Sequence, residues 1–88
     1  MRYRVYWTRI AVRDLKKLKR EIAERIIEAV EEASLSPLRY FKKLKGMPLY
    51  SLRIGDYRVV ASLDHERRSI VVLVVEHRGR AYKRARRL

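Results

Sequence analysis

Two arginines flanking a tight turn, and a short arginine–tyrosine motif beyond them, are the residues of this chain placed to do chemistry. On either side of Gly55-Asp56, the stretches Leu49 to Ile54 and Tyr57 to Leu63 alternate as two half-buried strands. Glycine at the first central position predicts a two-residue type II′ hairpin turn. That turn pairs Ile54 with Tyr57, Arg53 with Arg58, and Leu52 with Val59. It also sets Tyr50, Leu52, Ile54, Tyr57, Val59, Ala61 and Leu63 on one face, the core face. Arg53 and Arg58 then fall directly opposite each other on the other face. Like charges so placed cost a few tenths up to about 1 kcal/mol, from which a scaffold gains nothing. Over a phosphate the pair does gain, because each guanidinium fork donates two charge-assisted hydrogen bonds. The competing interpretation is two solvated side chains in an arginine-rich protein.

Further along, Glu76-His77-Arg78-Gly79-Arg80-Ala81-Tyr82 leaves the last strand. Arg78 and Tyr82 are four apart and share a face if the chain turns helical there. A tyrosine beside arginines can stack on a base or exchange a proton; its plainer role is to anchor the tail at a boundary. His77, at a strand end, is expected to be a half-buried structural residue, and His65, in a polar loop, a solvated one. No two histidines or carboxylates sit at metal-ligand spacing, and no glycine-rich phosphate loop is present. Any catalysis is therefore expected to need neither metal nor cofactor.

Charge explains why a phosphate is the expected ligand. Lys plus Arg number 23 against 10 Asp plus Glu, a formal charge of +13. Residues 1–32 hold nine bases and six acids, residues 33–88 fourteen and four, so the excess belongs to the arginine-bearing part. Self-repulsion of this size destabilises a small fold, and an acidic partner offsets it. Nucleic acid is the leading partner class, and an anionic membrane surface the second. No apolar run approaches the roughly 20 residues that span a bilayer. Met1-Arg2-Tyr3-Arg4 lacks the apolar core of a signal peptide, so a cytoplasmic location is expected. With 88 residues, 48% of them apolar and none cysteine, one domain over residues 1–88 is expected, held by packing and hydrogen bonds alone.

The remaining elements follow from periodicity. Tyr3 to Trp7 reads as a strand. Thr8 stands where an N-cap belongs, ahead of a helical stretch to about Leu35. Ala11, Leu15, Leu18, Ile22, Ile26 and Val30 form its apolar stripe, with Glu21 and Arg25 as an i,i+4 pair. One straight helix of that span would be about 42 Å long, against a radius of gyration of about 12–13 Å for a domain of this size. A break near Leu18 to Glu21, giving a helical hairpin, is the physical expectation, and Pro37 closes the region. Lys42-Lys43-Leu44-Lys45-Gly46 reads as a basic loop, Asp64 to Ser69 as another. Ile70 to Val75 is a continuous apolar run, expected as a central strand buried on both faces. The tail from Arg78 to Leu88 carries six bases and reads as a short final helix.

In order along the chain, three stretches resemble the RelE/ParE toxin superfamily, and the resemblance covers nearly the whole chain. They are the strand Tyr3–Trp7 with Ala11-Val12-Arg13-Asp14-Leu15-Lys16-Lys17-Leu18, then Leu44-Lys45-Gly46 with Tyr50-Ser51-Leu52-Arg53-Ile54-Gly55-Asp56-Tyr57-Arg58-Val59-Val60, and finally His77-Arg78 with Tyr82. The resemblance implies an α/β (α+β) domain: an antiparallel-rich sheet of about four strands backed by an N-terminal helical hairpin, with a concave basic face. It implies a RelE-type toxin of a type II toxin–antitoxin system, a metal-free endoribonuclease that cuts mRNA in the ribosomal A site. There the 2′-hydroxyl attacks its own phosphodiester, giving a 2′,3′-cyclic phosphate and a free 5′-hydroxyl. It further implies a RelB-like antitoxin peptide as partner, besides ribosome and mRNA, and operator DNA bound through the antitoxin complex.

Carried over residue by residue, Arg58, Arg78 and Tyr82 match family positions, and Arg53 fills one that is often lysine. The three arginines would stabilise charge on the phosphorane; Tyr82 would stack on the base or join the proton transfers. Lys43, Lys45, Arg80 and Lys83 would bind flanking phosphates. Ser51 stands where some active members carry a lysine proposed as general base; a slower enzyme and Lys45 reaching in both fit that departure. Two further functions stay open: a ParE-like inhibitor of DNA gyrase, and a non-catalytic nucleic-acid binder.

Overall fold

The computed structural model describes residues 2–77. The final helix expected over Arg78 to Leu88 lies outside them, as do Arg78, Arg80, Tyr82 and Lys83. Eight elements follow one another: β1 (Arg4–Trp7), α1 (Arg9–Lys16), α2 (Arg20–Ala33), α3 (Pro37–Tyr40), β2 (Lys42–Lys43), β3 (Tyr50–Ile54), β4 (Tyr57–Asp64) and β5 (Ser69–His77). The strands form a five-stranded sheet in the order β1-β5-β4-β3-β2. β1 runs parallel to β5, and every other neighbouring pair is antiparallel.

The long helical stretch is broken where its size required. α1 closes with the Lys17 and Leu18 amides donating to Asp14 and Leu15 carbonyls. Lys19 is then extended, with ψ at 144°, and α2 begins at Arg20. Four cations crowd Lys16 to Arg20, and a continuous helix would stack Lys16 on Arg20 as a like-charged i,i+4 pair. The break removes that stacking and lets Leu15, Leu18 and Ile22 all reach the core. The radius of gyration is 11.8 Å. The surface ion pair on α2 is Arg20–Glu24 at 3.3 Å rather than the expected Glu21–Arg25. On so exposed a face, either pairing is worth little.

The main core lies between the helices and one face of the sheet. Ile26, Val30, Val59, Ala61, Ile70 and Val72 are completely buried in it, each aliphatic side chain of Val or Ile size contributing about 1.5–3 kcal/mol. The hairpin register is Ile54↔Tyr57, Arg53↔Arg58, Leu52↔Val59, as the turn required. Gly55 has φ +59°, a value glycine reaches freely. A side chain there would meet open space, so backbone conformation alone selects glycine.

Three features depart from expectation. Pro37 does not end the helical region; it opens α3 from the first helical position, where a missing N–H costs nothing. Lys42-Lys43 is not loop but a two-residue edge strand, which raises the strand count from about four to five. β5 is an interior strand second from the edge, and β4 is the central one. Between Val60 and Ala61 the register shifts, because Val60 pairs with Val74 and Ala61 with Val72, leaving Leu73 as the extra residue of a β-bulge. Through that bulge β5 does bury both its faces: Ile70, Val72 and Val75 enter the main core. Val74, with Val60, forms a second cluster under Leu44, Met47, Leu49 and Leu73.

Beyond Trp7, β1 no longer covers the edge of β5, and α1 takes its place. The Thr8 amide donates to the Val72 carbonyl at 3.0 Å, and its hydroxyl donates to the bulged Leu73 carbonyl at 2.8 Å. The same hydroxyl caps α1 by accepting from the Ala11 amide at 3.1 Å. Asp14, 7% exposed, completes the edge by accepting from the Val75 amide at 2.9 Å. Thr8→Val keeps the shape but loses both hydroxyl bonds, so stability should fall by about 1–2 kcal/mol in thermal or urea unfolding. A variant as stable as wild type would show that neither bond contributes.

Candidate functional site

On the sheet face away from the main core, cross-strand pairing builds a row from three strands: Arg53 on β3, Arg58 on β4 and Glu76 on β5. A second row runs Lys42, Ser51, Val60 and Val74. Pleating puts Ser51 and Arg53 on the same side, so Lys42 joins the two arginines there. Arg53 is exposed and Arg58 half-buried. The Arg53 Nε reaches the Gly55 carbonyl at a long 3.5 Å. Neither arginine belongs to an ion pair among the described residues. The like-charged pair is therefore real geometry, offset by the carboxylate of Glu76 across from Arg58.

These residues border a groove of about 450 Å³ lined by Arg39, Tyr40, Lys42, Ser51, Leu52, Arg53 and Arg58. Four of its lining side chains are cationic and none is acidic. Arg39 and Tyr40 come from α3, Lys42 from the edge strand, and the rest from the hairpin, so the two unexpected elements supply one wall. Of the basic residues expected to flank the site, Lys43 pairs with Tyr50, on the opposite side of the pleat from Lys42. Lys45 is exposed in the loop before Gly46 and does not line the groove. Sequence reasoning missed Arg39, Tyr40, Lys42 and Glu76. Only the last left a signal, as the acid that closes the apolar run from Ile70 to Val75.

One histidine keeps to expectation and the other departs from it. His65 is exposed, yet its Nδ1 is hydrogen-bonded to the Tyr3 Oη at 2.8 Å, and its ring meets Tyr3 and Tyr50 edge-on at 5.9 and 6.5 Å. His77 is exposed rather than half-buried and lies edge-on to its cross-strand partner Tyr57 at 5.5 Å.

A family model described as the ParE toxin of type II toxin–antitoxin systems matches residues 5–82. The chain belongs to the RelE/ParE toxin superfamily. It is the toxin of a type II toxin–antitoxin module. Toxin RelG of Mycobacterium tuberculosis is 38% identical over 87 residues, covering 96% of this chain and 100% of the relative. Toxin RelE of the same organism is 34% identical over 84 residues, covering 92% and 87%. Among solved structures, the toxin–antitoxin complex RelBE2 of M. tuberculosis matches at a TM-score of 0.82 and 37% identity, over 89% of this chain and 100% of that one. The archaeal RelE–RelB complex of Pyrococcus horikoshii matches at 0.77 and 31%, over 91% and 99%. The α+β sheet-and-hairpin arrangement described above, five-stranded in this chain, is thus a RelE-like toxin fold. No helix among the described residues is long and apolar enough to cross a membrane.

Proposed function

We propose that this toxin, acting as one domain over residues 1–88, is an endoribonuclease that cuts mRNA in the ribosomal A site. The observation that carries the proposal is Arg53 opposed to Arg58 on the rim of a groove whose lining holds cations and no acid. In the reaction the 2′ oxygen bonds to phosphorus, the P–O5′ bond breaks, and the 2′ proton is given up while the 5′ oxygen gains one. Arg53 and Arg58 stabilise the added negative charge on the phosphorane, the electrostatic role that usually contributes most. Arg78 and Tyr82 complete the set by family resemblance, and Lys45, Arg80 and Lys83 hold flanking phosphates; Lys43, on the other side of the pleat, is left out of the set. A RelB-type antitoxin silences the toxin and joins it in binding operator DNA; the complexes named RelBE2 and RelE–RelB among its structural relatives support such a partner.

The test is primer extension on mRNA incubated with programmed ribosomes and purified toxin. Cuts within the A-site codon are expected. The matching family model is that of ParE toxins, which favours gyrase inhibition as the second reading. Inhibition of DNA supercoiling without RNA cleavage would establish it in place of the first.

A further inference from the structure

We infer that Tyr40 and Lys42 form a nucleotide-binding ledge beside the opposed arginines, Tyr40 stacking on an RNA base and Lys42 holding an adjacent phosphate. The inference rests on the proposed RNA-cleaving function and adds to it residues that no family position suggested.

Tyr40 ends α3 with 40% of its surface exposed. Among the described residues its side chain makes no hydrogen bond and no ring contact, although Tyr3, Tyr50 and Tyr57 each engage a histidine. An exposed aromatic with no structural partner, on the wall of a cationic groove, has the composition of a stacking platform for single-stranded nucleic acid. Every base presents a π-face, so such a contact adds affinity without demanding sequence. Lys42 lies one residue beyond Phe41, whose burial anchors the ledge. Its pairing with Ser51 sets it on the same side as Arg53 and Arg58. Arg39 lines the same groove. An ammonium on the edge strand and a guanidinium pair on the hairpin thus border one groove and can hold successive phosphates of one strand, with Tyr40 beside them for the intervening base.

The test measures binding of a short 2′-O-methyl oligoribonucleotide, which cannot be cleaved, to the full-length toxin over a range of salt. Tyr40→Ala should weaken binding about 10-fold, and Tyr40→Phe should stay within about twofold of wild type. Lys42→Ala should lower the slope of log affinity against log salt by about 0.7. Replacing one nucleotide by an abasic unit should weaken wild-type binding but add nothing to the loss in Tyr40→Ala. Because Tyr40 is exposed, unchanged melting temperatures should accompany these effects.

RNA binding by wild type that Tyr40→Ala leaves unchanged would overturn the ledge while leaving ribonuclease function standing. Folded wild type that neither binds nor cuts RNA would overturn the proposed function itself. Loss of affinity for an acidic antitoxin peptide, with RNA binding intact, would make the groove a protein dock and equally overturn the ledge.

Discussion

Arg58→Ala should cut mRNA on programmed ribosomes about 100- to 1000-fold more slowly than wild type, the loss typical when one preorganised donor to a developing oxyanion is removed. The geometry explains the size. Arg58 is half-buried at the middle of a three-strand row, so its position is held by pairing on both sides, at Arg53 and at Glu76. Arg53 sits nearer solvent, and Arg53→Ala should lose less. Arg58→Lys keeps the charge but not the fork, and should recover only part of the rate. Folding should be nearly unaffected, because deletion of Arg58 removes a like-charged and an oppositely charged neighbour together, each worth up to about 1 kcal/mol. Single-turnover cleavage alongside thermal unfolding separates the two effects. An Arg58→Ala protein that cuts at the wild-type rate would remove Arg58 from the site.

The largest effect on stability away from the main core is expected from Asp14. The residue is 7% exposed, and its carboxylate accepts the Val75 amide of β5 at a point where β1 has already ended. Asp14→Ala strands a buried backbone N–H that no strand is present to receive. Loss of a hydrogen bond to a charged group should cost about 2–3 kcal/mol, or a fall in melting temperature on the order of 10–20 °C for a domain of this size. Asp14→Asn keeps an acceptor oxygen and should lose less. Amide exchange at Val75 gives the local readout: protection should drop there before it drops at Val59 or Val60. Wild-type melting and protection in Asp14→Ala would mean that the edge of β5 is held by other contacts. Glu76 follows Val75 directly, so fraying at this edge should reach the row that contains Arg58.

What was legible in the sequence was whatever depended on local pattern. The Gly55-Asp56 turn and strict alternation around it determined the register, and the register alone set Arg53 against Arg58. The break between α1 and α2 carried no glycine or proline; it was legible only because an unbroken helix is too long for the body. Longer-range features were hidden for reasons of the same kind. Pro37 reads as a stop, but its chemistry suits a helix start equally well. Lys42-Lys43 has no alternation to show, and becomes a strand only because the β3 edge offers it partners. Without that register Lys42 and Tyr40 belong to no site. A bulge at Leu73 cannot be seen inside an unbroken apolar run, and Asp14 shows its role only once α1 lies against β5.

The parallel pairing of β1 with β5 also has a kinetic consequence. Arg4 to Trp7 find their partners only in Ser69 to Val72, so the sheet spans almost the whole described chain before it can close. Contacts of such high sequence separation slow folding, because chain entropy is lost before the pairing offsets it. A nascent chain that has not yet delivered β5 holds β1 as an unpaired segment and leaves one edge of β4 bare, the kind of exposed edge that invites misassembly. The arginine hairpin, by contrast, is local and needs neither. During synthesis, then, the charged part of the site can take shape while the sheet that holds it is still open.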